Sequence, residues 1–187
     1  MSSVAEFRCE TGRLILRDWR EDDWPEFFRV TNTPAVMQWL GGVLEGERRD
    51  AQRTRLETCR AANRFCFWAV ERKADGALLG FCGLKRADAP GSSVTGEMEV
   101  GWRFREDSWG QGYAREAAIA AIDAGFAQFG ADEIIALTVE GNAPSWGLMK
   151  RLGMTRREDL DYVDERYAAP LRDTIVYSIA RADWRGA

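Results

Sequence analysis

The sequence predicts one domain of the mixed α+β class, built around a mixed β-sheet. The chain has 187 residues, close to the size of one ordinary domain, and it contains no internal repeat, low-complexity tract or dividing linker. Apolar residues make up 45% and charged residues 30% of the sequence, a balance typical of a chain that folds around one core. Segments with strand periodicity alternate with segments of helical periodicity, and the chain ends in the order strand, helix, strand, helix, strand.

The N-terminal part predicts one strand followed by three helices. The apolar run 14–16, flanked by two arginines, is typical of a strand. Asp22-Asp23-Trp24-Pro25 offers capping carboxylates and a proline in a first helical turn, and Thr33-Pro34 repeats this pattern before a helix that Gly41-Gly42 ends. Residues 48–62 are charged and rich in good helix formers, which predicts the third helix.

The central part predicts three strands. The runs 65–71 and 78–84 flank Lys73-Ala74-Asp75-Gly76, whose turn residues predict a hairpin. Residues 86–96 contain proline, glycine and serine and are expected to form an exposed loop. The strand 97–104 alternates between an apolar face and a polar face. The apolar face holds Met98, Val100, Trp102 and Phe104, and the polar face holds Glu97, Glu99, Gly101 and Arg103.

The C-terminal part predicts two helices, each followed by a strand. From Ala114 to Phe129, small or apolar residues recur at helical spacing. Residues 134–139 are expected to form a short apolar strand, residues 143–152 a helix that ends at Gly153, and residues 174–180 the final strand.

Composition limits the available chemistry. The sequence has no histidine, which removes histidine-dependent nucleophile triads and most zinc sites. Any proton must therefore move through a carboxylate, hydroxyl, thiol, amine or water, and no metal is expected. The four cysteines show no Cys-x-x-Cys spacing and are expected to be buried, reduced thiols; they are Cys9, Cys59, Cys66 and Cys82.

Charge and hydropathy bear on partners and location. The net charge of −4 gives no reason to expect nucleic acid binding and mildly favours cationic substrates. No apolar run approaches the roughly 20 residues that cross a bilayer, and residues 1–6 lack the basic and apolar regions of a signal peptide. We therefore expect a cytoplasmic protein that does not act at a membrane.

A turn with two glycines precedes the helix that starts near Ala114, in the run Trp109-Gly110-Gln111-Gly112-Tyr113-Ala114. Main-chain N–H groups converge at such a turn with the positive end of the helix dipole, and small residues let a pyrophosphate approach the backbone. Gly-x-Gly at a helix start is also common in ordinary tight turns. The run is not a dinucleotide fingerprint, because Arg115 occupies the place of the third glycine.

Together with the segment after the next strand, this turn resembles the GNAT superfamily of acetyltransferases. The run 109–114 is similar to its pyrophosphate-loop motif, Gln/Arg-x-x-Gly-x-Gly/Ala, and the runs 142–145 and 152–154 are similar to its motif Asn-x-x-Ser/Ala followed by Leu-Gly-Phe. The likeness extends to 11–17 and 173–178 and so covers nearly the whole chain. It is strongest to the ribosomal-protein N-terminal (RimJ/RimL-like) branch. It implies one domain over residues 1–187, with a mostly antiparallel sheet of about seven strands and about four to five helices.

The resemblance implies acetyl-CoA as the cosubstrate. It places main-chain contacts to the pantetheine arm on Trp102 and Phe104, and it places Asn142 near the same arm. The pyrophosphate would bind at the turn, chiefly through the amides of 111–115. The turn residues carried over as cofactor-binding are Trp109, Gly110, Gln111, Gly112, Tyr113, Ala114 and Arg115.

Two positions depart from the usual family pattern. Trp109 replaces the glutamine or arginine that opens the loop motif, as is familiar in the ribosomal-protein branch. Met149 stands where many members carry a tyrosine that protonates the departing thiolate. We transfer the role of general acid to Ser145, which the same branch carries at this place, and which also counts among the cofactor-binding residues.

A local excess of positive charge supports a polyanionic ligand. Segment 143–157 contains Lys150, Arg151, Arg156 and Arg157 and no acidic residue, although the chain is acidic overall. We expect Lys150 and Arg151 to meet the coenzyme. A solvated helix face would have the same composition.

Amide formation requires a neutral amine, and the sequence offers two carboxylates as its base. An α-amine has a pKa of about 7.7 to 8.0 and a lysine about 10.4, so deprotonating lysine at pH 7 costs roughly 3 kcal/mol more. Glu99 is the preferred base, because its run is similar to a Glu-Ile-Gly-Tyr-like run of the family; Glu97 and a water chain are the alternatives. The amine would attack directly in a ternary complex, with the oxyanion held by a main-chain N–H near Phe104.

Three functions remain open at this point. The first is acetylation of a protein N-terminus, and the second is acetylation of a small amine such as an aminoglycoside or a polyamine, for which the acidic segment 158–165 is the only hint. The third is acyl-CoA binding without turnover, because Met149 replaces the tyrosine. The aromatic residues of segments 18–43 and 159–169 either line a substrate groove or belong to the core. Homodimers are frequent among similar proteins, so a homodimer is a further expectation.

Overall fold

The structure is a computed structural model that describes residues 6–186 of the chain. The first five residues, on which part of the expectation of no signal peptide rests, lie outside this range. The described part contains nine strands and five α-helices. The strands are β1 Arg8–Glu10, β2 Leu14–Arg17, β3 Phe67–Arg72, β4 Leu78–Arg86, β5 Met98–Phe104, β6 Glu133–Val139, β7 Thr155–Arg156, β8 Tyr162–Val163 and β9 Asp173–Ala180. The helices are α1 Asp23–Thr31, α2 Pro34–Met37, α3 Glu47–Asn63, α4 Tyr113–Ala127 and α5 Ala143–Arg151.

All nine strands belong to one sheet, in the order β1-β2-β3-β4-β5-β6-β9-β7, with β8 also paired to β9. Every pairing is antiparallel except that of β5 with β6. The main core lies between one sheet face and α4 with α5, and a second apolar cluster packs α1 and α3 against the other face. The chain therefore has the predicted mixed α+β fold, with two more strands than the expected seven.

Periodicity and capping placed the long elements correctly. The predicted helix 114–129 corresponds to α4, whose small and apolar residues are buried along nearly its whole length. Thr33 caps α2 by accepting a hydrogen bond from the amide of Val36. The capping role expected of Asp22 was wrong: its backbone is helical and its side chain makes no cap bond. Asp23 binds Arg17 instead, at 2.7 Å.

The expectation of an exposed loop after β4 was only partly correct. The segment forms a loop, but Ala87, Ala89 and Val94 within it are buried. The polar face of β5 is also covered in part, because Arg103 on that face is only 4% exposed. Alternation of polar and apolar residues predicts the strand but does not say whether a second layer, here α1 and α2, covers its polar side.

The four cysteines are free thiols, as expected, but only Cys66 and Cys82 are fully buried, whereas Cys9 and Cys59 are half-buried. None of the helices within residues 6–186 has the length and apolar character needed to cross a bilayer.

Candidate active site

The sheet opens into a wedge between β5 and β6. Within the described residues these two strands share one registered pair, Glu99 with Ile135. By contrast, β5 pairs with β4 and β6 pairs with β9 over seven positions each. Beyond Glu99, the edge of β5 that faces β6 is therefore free of strand pairing.

This free edge presents the backbone of Trp102 and Phe104. Arg105 donates its amide to the carbonyl of Leu79, on the β4 side. Because backbone polar groups alternate between the two edges of a strand, Trp102 and Phe104 direct theirs into the wedge. The Phe104 carbonyl already accepts the indole N–H of Trp109 at 2.9 Å. The remaining backbone polar groups of Trp102 and Phe104 can pair with an amide-containing ligand that lies in the wedge.

The glycine turn lies at the open end of the wedge and leads into α4. Gly110 and Gly112 have positive φ angles of +72° and +81°, a conformation that glycine adopts without steric cost. A Cβ on Gly110 would meet nothing within 4 Å, and no side chain caps the first turn of α4, where Gly112 is the N-cap. The first amides of α4 are thus free of side-chain caps beside open space, which fits a pyrophosphate.

A cluster of side chains fixes this turn from behind. The carboxylate of Glu116, in the first turn of α4, accepts hydrogen bonds from the Thr11 hydroxyl at 2.6 Å and the Arg13 amide at 2.8 Å. The Arg13 guanidinium binds the same carboxylate at 2.7 Å and the Gln111 carbonyl at 2.9 Å. It also lies 4.4 Å from the centre of the Tyr113 ring. These contacts hold the turn in one conformation before a ligand arrives.

Helix α5 borders the other side of the wedge. Ser145 lies in its first turn, and its amide donates to the carbonyl of Asn142, the N-cap residue, at 3.0 Å. The Asn142 side chain donates to the Thr138 hydroxyl at 3.0 Å, which ties the start of α5 to β6. The helix N-terminus therefore directs its positive end toward the wedge.

The four basic residues of segment 143–157 do not form one patch. Arg151 lines the cavity, whereas Lys150 packs 4.5 Å from the centre of the Trp146 ring and is not part of the wall. Arg156 pairs with Asp161, and Arg157 pairs with Asp159 and Glu133. Two of the four positive charges are thus paired, mainly with carboxylates of the acidic segment that follows directly in the sequence.

One cavity of about 950 Å³ unites these features. It is lined by twelve of the residues that the sequence singled out: Glu99, Trp102, Phe104, Trp109, Gly110, Gly112, Tyr113, Ala114, Arg115, Asn142, Ser145 and Arg151. Glu97, Gln111 and Lys150 lie outside its wall. Glu97 is exposed and precedes β5. Of the two candidate bases, only Glu99 reaches the cavity.

Glu99 lies where the wedge closes, and the charge of Lys85 partly offsets the effect of burial on its carboxyl group. Its side chain is 12% exposed, and its Oε2 atom is buried without a hydrogen-bond partner among the described residues. Burial raises the pKa of Glu99 and outweighs the lowering by the Lys85 ammonium, whose nitrogen is 3.5 Å away. A carboxyl group with a raised pKa holds a transferred proton more readily than an ordinary one.

Sequence reasoning did not foresee the network of charged residues around Glu99. Lys85 pairs directly with Glu99 in the register of β4 and β5 and also binds Asp88 at 3.0 Å. Arg166 binds Asp88 at 3.4 Å. Burial, and then the charge of Glu99, raise the pKa of Tyr162 to about 12. The strand predicted over 78–84 ended just before Lys85, and the register of this strand with β5 was not readable from the sequence.

Comparison with known proteins agrees with this geometry. A family profile described as the acetyltransferase (GNAT) domain matches residues 13–155. The Bacillus subtilis protein YkkB is 30% identical over 156 residues, which cover 80% of this chain and 86% of that protein. The Bacillus subtilis N-acetyltransferase YnaD is 31% identical over 149 residues, which cover 78% of this chain and 81% of that protein.

Solved structures share the fold at lower identity. An acetyltransferase from Agrobacterium tumefaciens superposes with a TM-score of 0.76 at 21% identity, covering 93% of this chain and 94% of that one. Spermidine N-acetyltransferase from Vibrio cholerae, solved in complex with CoA and spermine, superposes with a TM-score of 0.72 at 18% identity, covering 92% and 98%.

The wedge, the uncapped helix start and the raised pKa of the Glu99 carboxyl suit an enzyme that joins an acyl thioester to an amine. The profile match and the sequence relatives show that the chain belongs to the GNAT acetyltransferase family. It is therefore an acyltransferase, an acetyl-CoA-dependent N-acetyltransferase of the GNAT type, and its acceptor is an amine.

Proposed function

We propose that this enzyme acetylates the α-amine at a protein N-terminus and belongs to the RimJ/RimL-like branch. The observation that carries the proposal is the position of Glu99, a carboxylate with a raised pKa at the closed end of the wedge. An α-amine, with a pKa of about 7.7 to 8.0, loses its proton to such a base more readily than a lysine does. A cytoplasmic location and a homodimer belong to the same proposal, and sizing chromatography tests the dimer.

Acetyl-CoA supplies the activated acetyl group, and the residues of the wedge position it. The amides at the start of α4 hold the pyrophosphate, and the backbone of Trp102 and Phe104 aligns the pantetheine arm along β5. Asn142 and Arg151 border the arm from α5 and the turn before it. In this proposal the arm runs from the open end of the wedge toward the closed one, and the thioester lies near Glu99.

The acceptor amine gives its proton to Glu99 and attacks the acetyl carbonyl directly. A main-chain N–H of β5 that faces the wedge stabilises the oxyanion. Ser145 protonates the departing thiolate, aided by the positive end of α5, in whose first turn it lies. No covalent bond to the enzyme forms, so the rate depends on the two substrates being held together.

The charges around the cavity favour this acceptor over a polyamine. The acidic segment 158–165, the only hint of a polycationic substrate, is paired with arginines at three positions: Asp159 with Arg157, Asp161 with Arg156, and Asp164 with Arg166. Binding without turnover is less consistent with a carboxyl group whose pKa burial raises inside the cavity.

Thiol release from acetyl-CoA tests the proposal against panels of peptides, aminoglycosides and polyamines. We expect release with peptides that have a free N-terminus and none with the same peptides after N-terminal blocking. Release with polyamines or aminoglycosides alone would refute the acceptor class. Tight coenzyme binding in calorimetry, with no release on any panel, would refute turnover.

A further inference from the structure

Exposed apolar side chains concentrate at the mouth of the cavity. Among the described residues, four large hydrophobic side chains are strongly exposed: Leu40 at 43%, Trp109 at 51%, Val163 at 51% and Tyr167 at 38%. All but Val163 line the cavity. Single exposed apolar residues need no explanation, but a cluster that borders one functional cavity indicates a ligand with apolar surface.

Leu40 and Tyr167 come from two segments that meet at the acceptor side of the cavity. The Tyr167 ring lies 3.2 Å from the position that a Cβ on Gly41 would occupy, so the segment after β8 rests on the turn after α2. Trp39, in the same turn, lies close against Gly141, between β6 and α5. These contacts place apolar side chains around the entrance and leave the turn at 109–112 to the coenzyme.

The interior of this half of the cavity is also apolar. The rings of Phe67 and Phe81 stack with their centres 4.7 Å apart, and both line the cavity together with Val36 and Trp39. The wall carries three carboxylates, those of Asp88, Glu99 and Asp164. An acceptor in this half therefore meets mainly aromatic and aliphatic surface.

Two of these three carboxylates are already neutralised. Asp88 has Lys85 at 3.0 Å and Arg166 at 3.4 Å, and Asp164 has Arg166 at 2.7 Å. Glu99 has its nearest cation, Lys85, at 3.5 Å. A second positive charge on the acceptor would find no unpaired carboxylate on the described wall, so the cavity suits a substrate with one amine.

We propose, building on the proposed function, that the preferred acceptor is a polypeptide N-terminus whose first residue has a large apolar side chain. Its α-amine faces Glu99, and its side chain packs against Leu40, Tyr167 and the Phe67–Phe81 pair. Hydrophobic burial of that side chain makes the difference between good and poor acceptors.

Matched tripeptides that differ in the first residue test this preference by thiol release from acetyl-CoA. We expect kcat/KM with leucine or phenylalanine first to exceed that with serine or aspartate first by at least about 10-fold, the effect of burying one such side chain. Leucinamide serves as the small-molecule arm and is expected to be a poorer acceptor than the leucine peptide. Spermidine is expected to be poorest.

Variants of the exposed residues test which side chains cause the preference for an apolar first residue. Leu40→Ser and Tyr167→Ser are expected to lower the ratio of kcat/KM for the leucine peptide to that for the serine peptide about 3- to 10-fold. Val163→Ser is the matched control, because Val163 is as exposed as these residues but lies outside the cavity; it is expected to leave this ratio unchanged. Circular dichroism confirms that each variant folds.

The outcomes separate this inference from the function on which it rests. Equal use of the leucine and serine peptides would overturn the apolar preference while leaving the N-terminal function intact. Leucinamide used as well as the peptide would overturn the polypeptide acceptor. Absence of thiol release with every amine would remove the proposed function itself.

Discussion

Glu99 and Lys85 form a buried pair whose two members act in opposite directions on the proposed base. Burial raises the pKa of the Glu99 carboxyl, and the ammonium of Lys85 lowers it, with burial the larger effect. Burial alone would lower the pKa of Lys85, but the carboxylates of Glu99 and Asp88 raise it, so the lysine stays charged at neutral pH. The base is therefore tuned by a neighbour that does not itself exchange protons in the working pH range.

Replacing Glu99 with glutamine is expected to lower kcat by about 10²- to 10⁴-fold, the usual contribution of a general base. The same change should not destabilise the fold. A raised pKa means that the folded state binds the proton more tightly than the unfolded state, so above its pKa the ionised Glu99 weakens folding, and glutamine removes that effect. Thermal unfolding measures this effect on stability. The unfolding midpoint of Glu99→Gln is expected to equal or exceed that of the parent.

Glu97→Gln is the control for this substitution, because Glu97 is exposed and lies outside the cavity wall. It should retain the parent kcat. A loss of kcat in Glu97→Gln equal to that in Glu99→Gln would show that the base was wrongly assigned.

Replacing Lys85 with methionine is expected to move the acidic limb of the pH profile of kcat/KM to higher pH. The ammonium 3.5 Å away lowers the pKa of Glu99. Without it, the effect of burial is opposed less strongly, and the pKa of Glu99 rises further. Asp88 pushes in the same upward direction, Arg166 opposes it, and Tyr162 stays neutral because its pKa is about 12. Lys85→Arg keeps the charge and should leave the limb near its original position; an unmoved limb in Lys85→Met would contradict the pairing.

At the scale of elements, the turn before α4 depends on glycine conformation. Gly112→Ala is expected to raise KM for acetyl-CoA, because alanine is strained at φ +81° and its Cβ would stand 3.4 Å from the Arg13 guanidinium. Relief of that strain displaces the amides at the start of α4. Steady-state kinetics with varied acetyl-CoA measures the change.

Gly130→Ala is the matched control for this prediction. Gly130 has a similar φ of +70°, and a Cβ there would meet nothing within 4 Å, but it follows α4 rather than preceding it. Both substitutions cost about 1 kcal/mol of stability. Equal effects of the two on KM would show that the turn does not bind the coenzyme.

Elements with several turns or alternations were predictable, and short ones were not. Helices α3 and α4 and the longer strands carry enough periodic residues to be recognised, whereas β1, β7 and β8 have only two or three residues each. The glycine turn and the start of α4 were predicted because consecutive residues determine both. Lys85 meets Glu99 only through tertiary folding, and no local pattern marked it.

At the scale of the whole molecule, Arg103 is a charge enclosed between the sheet and the helices that cover it. Its guanidinium lies 4.5 Å from the centre of the Phe27 ring and 5.3 Å from that of Phe81, and Nη1 is 3.0 Å from the sulfur of Met37. Nε and Nη2 have no hydrogen-bond partner within the described residues. Burial lowers the pKa of Arg103 to about 9, which still leaves it charged at pH 7.

Arg103→Met is therefore expected to raise the free energy of unfolding by about 1 kcal/mol or more, because it replaces an unpaired buried charge with an apolar side chain of similar length. Denaturant unfolding measures the change. Arg103→Lys keeps a charge but loses the planar stacking on the two rings, and it should be less stable than the parent. A loss of stability in Arg103→Met would show that the aromatic contacts outweigh the cost of burial.

The single rung that joins β5 to β6 also has a consequence for the donor. In the proposed ternary complex the acetyl group occupies the point where the strands converge, beside the Glu99–Ile135 pair. Each methylene added to the acyl chain must extend toward backbone that is already bonded across the gap. We therefore expect kcat/KM to fall from acetyl-CoA to propionyl-CoA and longer thioesters, which thiol release with a series of acyl donors measures.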